Sequence, residues 1–174
     1  FIEEQNRLTE LFRNSGVYRF NKNAITFEAD SVDYKSNIEL IINDSITVYP
    51  FEIKKIKKIN VYTDYSFETK DDPINDSINY KCYTFLAHKK LKHNPKYLLN
   101  YIFIEPNSLY QDKARELTRK SFRNLNNFKS VEIKYTELEN DELEASIFLS
   151  PLKKYGLGFN TELTHSNVSQ LGIT

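Results

Sequence analysis

The sequence predicts an α+β fold of two tandem modules. Apolar residues recur at helical spacing in residues 1–14 and 110–124, and alternating apolar residues after each helix indicate two strands joined by a polar turn. The two helices end on matching triplets, Phe12-Arg13-Asn14 and Phe122-Arg123-Asn124, and Tyr18-Arg19 corresponds to Phe128-Lys129 at the same offset. An element order that repeats together with its local sequence predicts tandem modules rather than one catalytic core.

The first module is predicted to span residues 1–49. Leu8, Leu11 and Phe12 form the apolar stripe of its helix, which is expected to end at Asn14-Ser15-Gly16, where glycine suits a left-handed backbone. Strands follow at residues 24–29 and 38–42. The Tyr49-Pro50 step marks the boundary, because proline breaks a continuing strand.

The second module is predicted to span residues 50–152, with a three-stranded sheet and two helices. It has a leading strand at 56–63, helical segments at 96–104 and 110–125, and a hairpin of strands at 128–135 and 143–149. An insertion at about 65–94 contains a polar loop at 66–79 and a further strand at 80–87. By comparison the first module lacks its opening strand and helix, so we expect the chain to be a fragment that begins inside that module.

The composition excludes several classes of function. The 174 residues carry 24 basic and 24 acidic side chains, a balance that argues against a protein that coats nucleic acid. Four glycines form no phosphate-binding loop. The single cysteine, Cys82, cannot form an internal disulfide, and a thiolate zinc site needs more sulfurs.

No catalytic, cofactor-binding or metal-binding residue is predicted. His88 and His93 are five positions apart, which misses the spacing of two zinc ligands on a helix, and we expect both on a surface loop. The acidic segment 137–142 lacks the order and central glycine of a calcium loop. Cys82 falls in a predicted strand, where a packed thiol is expected. A small-ligand enzyme therefore has no convergent set of residues to support it.

A nucleic-acid-binding α+β module is the alternative function. Lys54-Lys55-Ile56-Lys57-Lys58 is the densest positive run, and residues 54–100 hold ten lysines against five acidic residues. Together with Tyr62, Tyr65 and Tyr80, this region offers phosphate contacts and base stacking. A charged face flanking a strand explains the same pattern.

The C-terminal stretch 155–164 alternates over about ten residues. Tyr155, Leu157, Phe159, Thr161 and Leu163 fall on one face, a length and pattern typical of a transmembrane β-strand. Three of the four glycines also lie from residue 156 onward. Such a strand also suits a soluble sheet.

Six stretches of the chain together carry a resemblance to a known family. They are Phe12-Arg13-Asn14-Ser15-Gly16-Val17-Tyr18-Arg19-Phe20, Ile25-Thr26-Phe27-Glu28-Ala29-Asp30-Ser31, Glu105-Pro106-Asn107-Ser108-Leu109-Tyr110, Leu125-Asn126-Asn127-Phe128-Lys129-Ser130-Val131, Ile147-Phe148-Leu149-Ser150-Pro151-Leu152-Lys153-Lys154 and Gly158-Phe159-Asn160-Thr161-Glu162-Leu163-Thr164. These stretches resemble the BamA/TamA family of outer-membrane assembly proteins, of the Bacteroidetes type. The second module is similar to the family's last POTRA domain, a β-α-α-β-β unit, and the first module to the preceding one.

The resemblance implies a non-catalytic function in the periplasm, next to the outer membrane. Residues 153–174 would begin a truncated membrane β-barrel, entered at Gly156, Gly158 and Phe159. Expected partners are unfolded outer-membrane protein clients and periplasmic or inner-membrane assembly partners, with no nucleic acid and no cofactor. The assembly and translocation branches of the family both stay open, with the latter slightly favoured.

Clients are expected to add a strand to an exposed sheet edge, a mode of binding called β-augmentation. The predicted edges are the first strand of the terminal hairpin, Lys129–Tyr135, and its equivalent in the first module, Ile25–Asp30. The predicted partner-binding residues are Lys129, Val131, Ile133, Tyr135, Ile25 and Phe27.

Overall fold

The first module consists of one long helix, a short 3-10 helix and a hairpin. The computed structural model describes residues 1–32, 35–43 and 51–152. Helix α1 (Ile2–Asn14) is followed by the 3-10 helix (Lys22–Ala24) and by antiparallel strands β1 (Ile25–Val32) and β2 (Lys35–Ile42). The helix and both strands confirm the predicted elements. Their core is small, with Val17, Phe20, Ala24 and Ile25 buried.

Helix α1 ends where the sequence predicts. Gly16 has a φ of 103°, a backbone conformation that costs glycine little and an L side chain much. A Cβ at this position would also lie 2.8 Å from Cγ2 of Ile53. The Gly16 carbonyl accepts a hydrogen bond from Lys54 N at 2.9 Å, so the turn after α1 already contacts the second module.

The second module is a five-stranded mixed sheet with its helices on one face. The strands lie in the order β4-β5-β3-β7-β6, with β3 parallel to both β5 and β7 and the two hairpins antiparallel. The elements are β3 (Lys55–Tyr62), β4 (Asp76–Tyr80), β5 (Tyr83–Ala87), α2 (Pro95–Leu99), α3 (Asp112–Asn124), β6 (Phe128–Glu137) and β7 (Glu142–Pro151).

The core of the second module lies between the sheet and the helices. Alternate residues of each strand point to one face, and in β7 these are Leu143, Ala145, Ile147 and Leu149, all fully buried. From the helices, Phe122 of α3 and Leu98 of α2 pack against them and are also fully buried. The predicted second helix and the terminal hairpin are thus confirmed. The first helical segment, predicted at 96–104, is a shorter helix that ends at Leu99.

The insertion changes the predicted three-stranded sheet to a five-stranded one. Strand β5 pairs in parallel with β3, so the inserted hairpin occupies the edge that β3 otherwise presents. The prediction of a loop as far as residue 79 is wrong from Asp76 onward, because β4 begins there. Strand β4 lies at an edge of the sheet and buries little, so its sequence lacks a clear apolar alternation. Backbone pairing with β5 defines it as a strand.

Cys82 is exposed, so the predicted packed thiol is wrong. Tyr80 pairs with Tyr83, which leaves Lys81 and Cys82 as a two-residue turn with φ of 48° and 64°. Positive φ at both central residues matches the right-handed twist of a hairpin, but it is normally supplied by Asn-Gly. The alternation of residues 80–87 suggested one continuous strand and hid this turn.

His88 is buried, with 5% of its surface exposed, so the prediction of a surface histidine is wrong for this residue. Its backbone N–H donates to Asp64 at 2.9 Å, and its carbonyl accepts from Asn75 Nδ2 at 2.6 Å. Its Nδ1 lies 3.1 Å from the Asp72 carbonyl. The polar loop of the insertion folds over the histidine, an arrangement that the spacing of residues cannot indicate.

Several predictions concern residues outside the described ranges. The Tyr49-Pro50 boundary and the proposed barrel entry at Gly156, Gly158 and Phe159 all lie there. Among the described residues, no helix is both long enough and apolar enough to cross a membrane.

In the described part of the first module, Ile38, Leu40 and Ile42 of β2 remain exposed, unlike the buried residues of β7.

Replacing Lys81-Cys82 with Asn-Gly is expected to stabilise the chain. Because Asn and Gly tolerate positive φ better, the free energy of unfolding should rise by about 1–2 kcal/mol. Urea denaturation measures the change, and Lys70→Asn, an exposed substitution outside any such turn, is the control. An unchanged or reduced stability of the double variant contradicts the turn geometry.

Candidate functional site at the β6 edge and the module joint

Strand β6 forms one edge of the sheet, as the sequence predicts for this hairpin strand. It spans Phe128–Glu137 and pairs only with β7 among the described strands. Its ten residues are twice the length of β4 at the opposite edge. A long edge strand presents a row of unpaired backbone groups to which another chain can add.

The outward-pointing backbone groups of β6 follow from its register. Leu138 N donates to Glu142 O at 2.8 Å next to the turn, and hydrogen-bonded pairs alternate along an antiparallel ladder. The N–H and C=O groups of Val131, Ile133 and Tyr135 therefore point away from β7. No described residue outside the sheet hydrogen-bonds to the backbone of this stretch.

The side chains of β6 divide between two different surfaces. Val131 is buried and Ile133 and Tyr135 are half-buried on the helix-covered face, whereas Glu132 and Lys134 are exposed on the open face. An added strand would thus contact apolar groups on one side and a Glu–Lys pair, 3.2 Å apart, on the other. Lys129 is exposed near the start of the strand. The four predicted partner-binding residues of this strand lie along one edge.

The equivalent edge in the first module is less open. The Ile25 side chain is buried, and its carbonyl accepts a hydrogen bond from Gln5 Nε2 of α1 at 2.7 Å. The Phe27 ring contacts the Phe1 ring, with centroids 4.9 Å apart. Helix α1 therefore occupies the start of β1, and the two predicted edges are not equivalent.

Arg13 joins the two modules with all five of its N–H groups. In the first module, Nη1 donates to the Tyr18 and Phe20 carbonyls at 2.9 and 3.1 Å. In the second, Nη2 donates to the Tyr110 hydroxyl and to Asp112 Oδ1, each at 3.0 Å, and Nε donates to Asp112 Oδ2. Such a two-pronged arginine–carboxylate pair is stronger and more directional than a single hydrogen bond.

Asn14 caps the helix of the other module. The N-cap residue of α3, Gln111, makes no side-chain capping bond. Instead Asn14 Oδ1 accepts from Lys113 N at 2.9 Å, and so satisfies one of the free N–H groups of the first turn. Arg19 adds an ion pair with Glu137 at the end of β6. The start of α3 thus depends on residues from the end of α1.

Three tyrosines connect this joint to the β6 edge. The Tyr110 ring packs edge-on against both Tyr18 and Tyr135, with centroids 4.9 and 5.1 Å apart, and Tyr18 lies 5.7 Å from Tyr135. Tyr110 is fully buried. Because Tyr135 belongs both to this cluster and to β6, the joint fixes the position of the edge strand relative to the first module.

The electrostatics of the joint favour a charged Arg13–Asp112 pair. Burial alone would raise the pKa of Asp112, but hydrogen bonds from Arg13 and Tyr110 outweigh burial and hold the pKa below its usual value. The hydrogen bond to Asp112 raises the pKa of Arg13. Burial raises the pKa of Tyr110 and of Tyr135, so both hydroxyls stay neutral and Tyr110 donates to Asp112.

The repeated triplet is evident in the sequence, whereas its role in the joint is not. Arg13 and Asn14 belong to the triplet by which the two modules align. The available signal was an arginine and an asparagine ending a short helix immediately before a turn, in a chain that repeats the same ending. The partner, Asp112, lies 99 positions away, and no local pattern indicates it.

The lysine-rich run predicted as an alternative nucleic-acid surface is partly neutralised. Lys54 is buried and its Nζ lies 2.5 Å from Glu52 and 2.8 Å from Asp141. Lys57 lies 3.0 Å from Glu142. Of the three tyrosines expected to stack on bases, Tyr62 is stacked on Phe148 within the sheet surface, with centroids 4.7 Å apart.

A double-mutant cycle on Arg13 and Asp112 is expected to show strong coupling. Because the pair is partly buried and doubly hydrogen-bonded, Arg13→Ala and Asp112→Ala should couple by about 1–3 kcal/mol in the free energy of unfolding. Urea denaturation measures it. The exposed Arg7–Glu4 pair on α1 is the control and should couple far less. Additive effects at Arg13 and Asp112 contradict the joint.

The stability of the chain is expected to fall in acid partly through Asp112. Because its pKa is depressed on folding, its contribution is present above the unfolded pKa of about 4 and is lost as the pH falls through the lower folded value. Asp112→Asn should therefore flatten the acid limb of the stability profile, measured by denaturation across that range. Asp71→Asn, in an exposed loop outside the joint, is the control. An unchanged acid limb in Asp112→Asn contradicts this assignment.

No protein-family model matches the sequence, and no curated protein matches it. Among solved structures, the fold is similar to the crystal structure of BamA from Haemophilus ducreyi lacking POTRA domains 1–3, with a TM-score of 0.56, 8% identity, 87% of this chain covered and 23% of that one. POTRA domains 3–5 of BamA from Haemophilus influenzae match at a TM-score of 0.33, 10% identity, 86% of this chain and 80% of that one. The N-terminal domain of Omp85 from Thermosynechococcus elongatus matches at a TM-score of 0.35 and 7% identity, with 88% of this chain and 85% of that one covered.

The likeness to BamA from Haemophilus ducreyi establishes the fold. The predicted α+β architecture is confirmed, and β3, α2, α3, β6 and β7 keep the β-α-α-β-β order of a POTRA-like module, with the inserted hairpin added. The chain spans 23% of the length of that BamA structure. The chain therefore shares the fold of the part of BamA that it matches.

Proposed function

We propose that this chain is a non-catalytic periplasmic module of an outer-membrane protein assembly or translocation factor. It binds an extended segment of a client protein at the edge of β6. The observation that carries this proposal is the ten-residue edge strand, whose outward backbone groups at Val131, Ile133 and Tyr135 have no described partner outside the sheet.

Backbone pairing suits a partner that must accept many sequences. A client strand added to β6 would satisfy its own N–H and C=O groups whatever its side chains, while alternate side chains would lie against the apolar or the charged face of the edge. Unfolded outer-membrane proteins alternate in polarity with the same period. A client strand paired with β6 can therefore place its apolar side chains on the helix-covered face and its polar side chains on the open face.

The joint supports this function by holding β6 in place. Tyr135 is fixed through Tyr110 and Tyr18, and Glu137 through Arg19, so both lie in a strand anchored to the neighbouring module. A rigid edge loses less conformational freedom when a client binds. The opposite edge, β4, has half the residues, and Asp76 at its start accepts a hydrogen bond from Leu91 N.

The remaining parts of the proposal rest on the resemblance and on the fold likeness. Residues 1–49 and 50–152 are proposed as two POTRA-like domains, and residues 153–174 as the start of a membrane barrel. The wider partners would be periplasmic or inner-membrane assembly proteins. The location would be the outer membrane, with this segment facing the periplasm.

Proline at Ile133 is expected to abolish client binding while the domain stays folded. The Ile133 N–H points away from β7, so Ile133→Pro removes a donor from the edge without removing a bond of the β6–β7 ladder. A photo-cross-linking side chain at the exposed Lys129 would report capture of a urea-unfolded outer-membrane β-barrel protein. Circular dichroism would report folding.

Two variants serve as controls for this experiment. Ile133→Ala keeps the N–H and should keep cross-linking, and Asn79→Pro places the proline on the β4 edge and should keep it also. Undiminished cross-linking in a folded Ile133→Pro chain rules out β6 as the site. Loss of cross-linking in a folded Asn79→Pro chain contradicts the assignment to β6, because that proline lies at the opposite edge of the sheet.

A further inference from the structure

The Phe-Arg-Asn triplet recurs at the end of α3 in the same local geometry as at the end of α1. Both helices contain 13 residues and end on the triplet. The N–H of the next residue donates to the phenylalanine carbonyl, at 3.0 Å from Ser15 and 3.3 Å from Leu125. The residue after that has a positive φ in both modules, 103° at Gly16 and 53° at Asn126.

The two triplets differ in what they contact. At the end of α1, Arg13 and Asn14 hold the N-terminal turn of α3. At the end of α3, Arg123 and Asn124 are exposed, and neither side chain has a partner among the described residues. Lys129, which stands where the first module has Arg19, is exposed and without a described partner as well.

The path of the chain also repeats at this point. After the first hairpin, Lys54 N donates to the Gly16 carbonyl at 2.9 Å, next to the first triplet. After the second hairpin, Leu152 N donates to the Asn127 carbonyl at 3.0 Å, next to the second triplet. In the first module, the hydrogen bond from Lys54 N places the start of the second module beside the first triplet.

We propose that Arg123, Asn124 and Lys129 form a docking point for a protein element that presents a helix N-terminus with a carboxylate in its first turn. The model for the contact is the start of α3, where Asp112 binds Arg13 and Lys113 N binds Asn14. The surface lies on the far end of α3 from the joint, and the proposal does not depend on client binding at β6.

The chemistry of the triplet selects a protein partner over a phosphate-bearing one. A guanidinium can bind either a carboxylate or a phosphate through two parallel hydrogen bonds, so Arg123 alone does not distinguish them. The amide oxygen of the asparagine, the third residue of the triplet, accepts a backbone N–H, which a helix N-terminus offers and a phosphate group lacks. Lys129 supplies a second positive charge for an acidic partner, as Arg19 does for Glu137.

A peptide of residues 106–120 of this chain is the probe. Glu116 and Lys120 are four positions apart, so an amide link between their side chains holds the peptide as a helix. It is titrated at low salt into the isotope-labelled 174-residue chain and followed by NMR. Saturable shifts are expected for the amides of residues 124–127 and for Arg123 Nε–H. The same peptide carrying Asp112→Asn should bind about tenfold more weakly.

Variants of the chain separate the proposal from non-specific attraction. Arg123→Ala and Asn124→Ala should each lose the shifts, whereas Arg119→Ala, which removes a neighbouring arginine paired with Glu116, should keep them. Absent shifts, equal binding of the Asp112→Asn peptide, shifts centred on Arg13, or binding that survives Arg123→Ala each overturn the proposal. The proposal is also overturned if inorganic phosphate produces the same chemical-shift changes in the unaltered chain and in the Asn124→Ala chain, because the site would then bind phosphate.

Discussion

The Arg13 guanidinium is the contact on which the arrangement of this chain depends. It is held by two carbonyls of its own module and by Tyr110 and Asp112 of the next, so no donor is left without an acceptor. A partly buried arginine lacking any of these acceptors would be destabilising. Because Asp112 opens α3, and α3 covers the sheet, this one side chain couples the end of α1 to the core of the second module.

The joint and the inserted hairpin together make one edge different from the others. Strand β5 covers the edge of β3, α1 occupies the start of β1, and β4 is short. Of the two edge strands of the five-stranded sheet, only β6 combines length with open backbone groups, and the tyrosine cluster anchors it through Tyr135. A sheet with several equal edges would be prone to non-specific pairing, whereas a single long edge limits pairing to one place.

Much of the fold follows from local sequence, and the errors have a common cause. Helical spacing located α1 and α3, and alternation located β6 and β7, because each pattern is set by neighbouring residues. The edge position of β6 followed from its place in the terminal hairpin. The turn at Cys82, the strand at Asp76 and the burial of His88 were missed, since each depends on how the insertion folds back on itself.

The sequence by itself determined α1 and α3, the pair of strands that follows each of them, and the residues that form the β6 edge, because period and turn chemistry act within a few residues. Only the tertiary structure decided which strands are neighbours and what Arg13 and Asn14 bind. Their partners, Asp112 and Lys113, lie 99 positions along the chain. A contact over that separation leaves no local pattern, and it forms only when packing brings the two helix ends together.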